Sequence, residues 1–240
     1  MRKSVIAVLA VVSLISLAPT ASQALMPYSQ DFEGLVQSSP SALADNHWLI
    51  YANVFGPDWA YWYGYGVFPA PNGTGAFSGV ASGEGGAGQG SQQLNVFSDY
   101  NNGNHADGAH IESLVFQEQT IGSGDVGETW IFDFEAKLGN LAGSTTAVAF
   151  IKTLNPGAGY ATTNYIPVNM TTTPTSWTGY SLSITISGSL VGQILQFGFA
   201  NTATLYEGSG VFYDNVNFHI TGGVVATEEM SWSGVKTLFK

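Results

Sequence analysis

Apolar and polar residues alternate along most of this 240-residue chain, in short runs broken by clusters of Gly, Asn, Ser and Pro. A period of two sends successive side chains to opposite faces, so such runs bury one face as strands. Residues 208–220 show it best. Phe212, Asp214, Val216, Phe218 and Ile220 would share one face, and Val211, Tyr213, Asn215, Asn217 and His219 the other. Trp130, Phe132, Phe134, Ala136 and Leu138 line a second run, with Asp133, Glu135 and Lys137 opposite. Tyr180, Leu182, Ile184 and Ile186 oppose Ser181, Ser183 and Thr185, and Leu195, Phe197 and Phe199 form a further inward set. Other candidate strands cover 49–54, 75–81, 92–97, 111–120 and 147–153. No window before the final tail sustains a 3.6-residue period with caps. About ten short strands with turn signals between them predict an all-β chain, a jelly-roll β-sandwich with a short C-terminal tail. The glycine-rich residues 83–90 read as a mobile loop.

Arg2 and Lys3, an apolar run to Ala18 and small residues up to Ala24 have the parts of a secretory signal peptide, too short to span a bilayer. The expected organisation is a signal peptide over 1–24, the sandwich over 25–221 and a tail over 222–240. No later stretch reads as a membrane span. In the tail, Trp232, Val235, Leu238 and Phe239 would share one face of a short helix, suited to docking on another protein or to packing back on the sandwich. Export without a single cysteine fits a bacterial secreted protein whose stability comes from its core.

Charge excludes some partners. After removal of residues 1–24, four lysines (Lys137, Lys152, Lys236, Lys240) stand against seventeen acidic residues, 4 − 17 = −13, with no arginine. Phosphate binding rests on Lys and Arg, so nucleic acid is excluded and neutral or weakly charged ligands remain.

On the expected strand, Asp214 lies on an apolar face, and a dry carboxylate needs a partner. With no arginine, the choices are a hard cation with oxygen ligands or several backbone N–H groups. The ends of the domain add a resemblance. Ser29-Gln-Asp-Phe-Glu-Gly34 followed by Trp48, and the closing Val-Phe-Tyr-Asp-Asn-Val at 211–216, resemble secreted carbohydrate-binding modules of the jelly-roll, galactose-binding-like type. The resemblance implies a structural calcium ion, held by Glu33, with Asp31 close by, and by Asp214. It also implies glycan binding.

Trp59-Ala-Tyr-Trp-Tyr-Gly-Tyr is the most aromatic stretch. If extended, Trp59, Tyr61, Tyr63 and Tyr65 would point one way, with Trp62 between them, as a platform for sugar rings or as cover for one end of the core. Asp99, Asn101 and Asp107 offer oxygen ligands without the spacing of a calcium loop, which favours a solvated turn. His105, His110 and Glu112 lack a zinc pattern. Asp133 and Glu135 stand about 6.5–7 Å apart along their strand, a spacing that glycosidases use, but Lys137 beside them suggests a charge ladder. The leading expectation is a non-catalytic glycan-binding module with structural calcium. The alternatives are a structural or adhesive surface protein and, third, a polysaccharide hydrolase or lyase.

Overall fold

The computed structural model describes residues 24–73 and 77–221. The expected signal peptide (apart from Ala24) and the C-terminal tail lie outside the described residues. The strands are β1 Tyr28–Gln30, β2 Leu49–Phe55, β3 Tyr61–Pro69, β4 Ser78–Ser82, β5 Gln92–Val96 and β6 His110–Thr120. There follow β7 Thr129–Leu138, β8 Thr146–Asn155, β9 Ala161–Asn169, β10 Thr178–Thr185, β11 Ile194–Ala203 and β12 Val211–Ile220. One sheet runs β10-β7-β12-β5-β4, with β1 also beside β12, and the other runs β3-β2-β6-β11-β8-β9. The chain is an all-β jelly-roll sandwich whose strand pairs are antiparallel. β9 was not anticipated. Its Thr, Asn and Tyr positions hide the period, and only Ile166 and Val168 pack against the core.

The core lies between the sheets and is strongly aromatic. Phe197 stacks on Phe218 at 4.2 Å and Phe199 on Tyr213 at 3.6 Å, so β11 of one sheet meets β12 of the other ring to ring. Phe132 and Phe134 close on the same rings at 5.2–5.6 Å. Such rings each bury a large apolar area and gain further from their geometry.

Two expectations are corrected. The inward face of β12 is not one unbroken set, because Asn215 adopts a left-handed φ of 48° and the register with β7 shifts between Asp214 and Asn217. This β-bulge switches the side on which residues point. Val211 and Tyr213 point inward before it, and Val216 and Phe218 after it. Phe212 is half-buried, with the Lys137 ammonium 5.9 Å from its ring centre. Asp214 therefore leaves the inter-sheet face yet remains fully buried.

The loop over residues 83–90 is also tied down. Lys137 Nζ and Trp177 Nε1 donate to the Glu84 carbonyl, Gln89 donates to Glu135 at 2.6 Å, and Asn215 donates to the Gly88 carbonyl. Lys137 also pairs with the Glu84 carboxylate at 2.7 Å rather than with its strand neighbours. The cross-strand contact is instead His219 Nε2 with the Asp133 carboxylate, at 2.9 Å.

Gly198 sits mid-β11, paired with Phe116 on one side and Phe150 on the other. A Cβ there would stand 2.6 Å from Phe116 Cα and strike the Val115 carbonyl. Neighbouring backbone cannot yield as a flexible side chain can. Gly198→Ala is expected to destabilise by about 1–3 kcal/mol, read as a lower urea midpoint at unchanged m-value.

Candidate functional site: a groove across one sheet

The outer face of the β3–β9 sheet carries a groove of about 650 Å³. Its lining runs from Gly66 and Val67 on β3, through Tyr51 and Asn53 on β2, Phe116 and Glu118 on β6 and Gln196 on β11, to Lys152 on β8 and Tyr160 and Thr162 beyond. The strand register explains this order. Phe116, Gly198 and Phe150 form one rung, and Glu118, Gln196 and Lys152 the next same-face rung. The first rung is an apolar floor with a glycine gap, in a small cluster of Leu114, Phe116, Phe150 and Ala200 separate from the main core. The second is polar, with Gln196 Nε2 donating to Glu118 at 2.8 Å. A parallel bond joins Asn53 Nδ2 to Glu112 at 2.7 Å.

Lys152 reaches over the floor, its ammonium 5.0 Å from the Phe150 ring centre and 5.8 Å from that of Phe116. Burial pushes its pKa below the usual lysine value, opposed by Glu112 and Glu118. Tyrosines stand on both sides. Tyr51 lies across Gly64 and Gly66, where any Cβ would strike its ring. Tyr160 is 61 % exposed in the turn between β8 and β9, at a φ of 62°. Two rings flanking a floor that mixes apolar and hydrogen-bonding groups suit a ligand with apolar faces and equatorial hydroxyls.

The groove escaped the sequence reading, although a signal was present. Leu114-Val115-Phe116 and Val148–Ile151 are apolar at consecutive positions, and such runs mark strands covered on both faces. None of Trp59, Tyr61, Trp62, Tyr63 and Tyr65 lines the groove. They stand at the neighbouring end of the sheet without sharing one face. Trp59 sits in a turn at a left-handed φ of 63°, closed by its N–H to the Gly56 carbonyl. A bulky residue adopts that conformation at a cost of about 1–2 kcal/mol. Its ring stacks on His110 at 3.8 Å. Tyr61 packs against Phe55, Trp62 lies over Gly56, and Tyr63 donates to Asn104 at 2.5 Å. Tyr65 turns to the core and donates to Asp99. Asp99 also caps the Asn101 N–H, and Asp107 accepts from Asn104, so these acids belong to a turn. His105 is buried against the Asp99 carbonyl. Asp133 and Glu135 are engaged by His219 and by Gln89 and Asn215.

Around Asp214 the bulge and the tied-down loop converge. Asp214 Oδ1 accepts the Asn215 N–H at 2.6 Å, while Asp214 Oδ2 and Gln93 Oε1 are buried without a partner. Gln93 lies on β5 one position beyond Leu94, the residue paired with Tyr213 of β12. Burial above all, then Asp31, Glu135 and Glu33, pushes the Asp214 pKa up to about 7 against the Asn215 N–H. The Glu33 carboxylate is taken by the N–H groups of Ser91 and Gln92 and the Ser91 hydroxyl, which lower its pKa. Asp31 accepts the Glu33 N–H. Among the described residues, no three acidic or imidazole groups stand together as a ready-made metal cage.

A two-sheet jelly roll with a groove across an outer face describes the class of domain, and carbohydrate-binding modules are among the solved structures to which the chain is similar. One is the C-terminal family 22 carbohydrate-binding module of Clostridium thermocellum Xyn10B, 16% identical over 82% of this chain and 96% of that one, with a TM-score of 0.42. Another is a cyclase from Fischerella sp. TAU, at 12% identity, 82% and 98% coverage and a TM-score of 0.46. A third is the enzymatically active domain of bacteriophage CBA120 tailspike protein 4, at 12% identity and a TM-score of 0.44. There the match covers 78% of this chain and only 21% of the tailspike chain. No protein-family model and no curated protein matches the sequence.

Proposed function

We propose that the protein is a secreted, non-catalytic module that binds a neutral or weakly charged polysaccharide in the groove of the β3–β9 sheet. The observation that carries this reading is the groove itself, with Tyr51 and Tyr160 flanking the Glu118–Gln196–Lys152 rung. Stacking rings and a short polar row are what a sugar with one apolar face requires. The excess of acidic residues disfavours polyanions.

Calcium at Asp214 forms part of the same reading. Two buried oxygens without partners, Asp214 Oδ2 and Gln93 Oε1, suit a hard cation completed by backbone carbonyls and water. Asp31, Glu33 and Glu135 add negative charge around it. The ion would neutralise this patch and brace the loop over residues 83–90 against β12.

Affinity electrophoresis in gels containing soluble xylan, mannan or mixed-linkage glucan tests the reading. One of these should retard the protein, and Gln196→Ala or Tyr160→Ala should weaken the retardation about fivefold through a lost hydrogen bond or ring contact. Unchanged mobility in every gel would remove the glycan-binding reading. An adhesive role is the second reading, favoured by Leu205 and Tyr206, both more than half exposed. It expects self-association without glycan, visible by sedimentation.

A further inference from the structure

The aromatic stretch that does not line the groove is continuous with it. Tyr51, on the groove's β2 side, meets the phenol of Tyr61, Tyr61 packs edge-on to Phe55 at 5.8 Å, and Phe55 meets Trp59 at 6.0 Å. Trp59 lies parallel on His110 at 3.8 Å and 8°, and His110 pairs with Phe55 at the start of β6. Residues 51, 53 and 55 share the outer face of β2 and Asn53 already lines the groove, so this track extends it by two residues, about 7 Å.

Trp59 is held in place and still presents surface. One face of its indole rests on the imidazole, whose Nδ1 is bonded to Thr204 and whose Nε2 approaches the Pro57 carbonyl, yet the residue is 59 % exposed. Its left-handed backbone is a local strain maintained by the turn and the stack, a feature concentrated at ligand clamps. Asp58, at the tip of the same turn, accepts the Ala60 N–H, and Glu112 follows on β6. The flat apolar ring and the carboxylates near it fit a neutral sugar ring and repel an anionic one.

We infer that Trp59, resting on His110, is a distal sugar-stacking subsite, so the protein takes an extended neutral polysaccharide that runs from the groove along the β2–β3 edge. This rests on the glycan reading of the groove. It makes chain length the quantity to measure. Calorimetric titration with a trisaccharide and a hexasaccharide cut from the polymer that retards the protein gives a hexa-to-tri affinity ratio. Trp59→Ala is expected to reduce that ratio about three- to tenfold, Trp59→Phe much less, and Tyr51→Ala to weaken both ligands. Thermal melts confirm that each variant is folded. If the Trp59→Ala ratio matches wild type while Tyr51→Ala weakens binding, the distal subsite is wrong and the groove stands. If Tyr51→Ala changes nothing, or no polymer retards the protein, the groove reading falls and the subsite with it.

Discussion

At pH 8, the protein in chelator is expected to melt about 10 °C below the protein in calcium, and the gap should shrink toward pH 5. The sign follows from Asp214. Burial raises its pKa from 3.8 to about 7, so without an ion the folded protein holds a proton that the unfolded chain releases. That contribution is present in full below about pH 4 and is lost as pH rises through about 7. At about 1.4 kcal/mol per pH unit, the difference approaches about 4 kcal/mol, or about 10 °C for a domain of this size. A cation bound as proposed would replace the proton at high pH and restore the stability by mass action. Asp214→Asn should melt independently of calcium and above chelated wild type at pH 8, since a neutral amide can face Gln93 without carrying charge. Identical wild-type melting with and without calcium at pH 8 would remove the ion from the account.

Lys152→Met should separate binding from stability. Among the described residues Lys152 forms no ion pair, and its ammonium lies over two phenylalanine rings where burial disfavours charge. Methionine preserves the long stem and removes the charge. The melting temperature should hold or rise, because no ion pair is broken among the described residues and the relieved desolvation outweighs the ring contacts and the pull of Glu112 and Glu118. Affinity for the retarding polysaccharide should fall about tenfold or more, the loss of a charged hydrogen-bond donor to sugar hydroxyls. A methionine variant that binds like wild type would take Lys152 out of the site.

What could be read from the sequence was set by periodicity. β7, β10 and β11 alternate cleanly and take their expected faces, since Phe132, Phe134, Leu182, Phe197 and Phe199 are all buried. β12 has the same pattern, but a bulge inserts one residue and transfers the rest to the opposite face. The sequence has no mark for that beyond an Asn, a residue that tolerates a left-handed backbone. The prominence of Asp214 was legible, although the bulge takes it off the inter-sheet face, to a place where its neighbour Asn215 holds the loop over residues 83–90. The groove was illegible for another reason. Its residues are scattered one or two at a time over six strands and the β8–β9 turn, and only the register places Glu118, Gln196 and Lys152 in line. The local aromatic cluster was conspicuous in the sequence because its members are neighbours in the chain.

The groove reaches from one edge strand to the other, with Val67 at one end and Thr162 at the other. If the groove takes a polysaccharide as proposed, a slot reaching both edge strands would admit the polymer anywhere along its length rather than only by its end. Bound protein at saturation should then follow the mass of polymer rather than the number of polymer molecules. Shearing the polysaccharide into shorter pieces, still longer than the slot, would leave the capacity of a given weight unchanged.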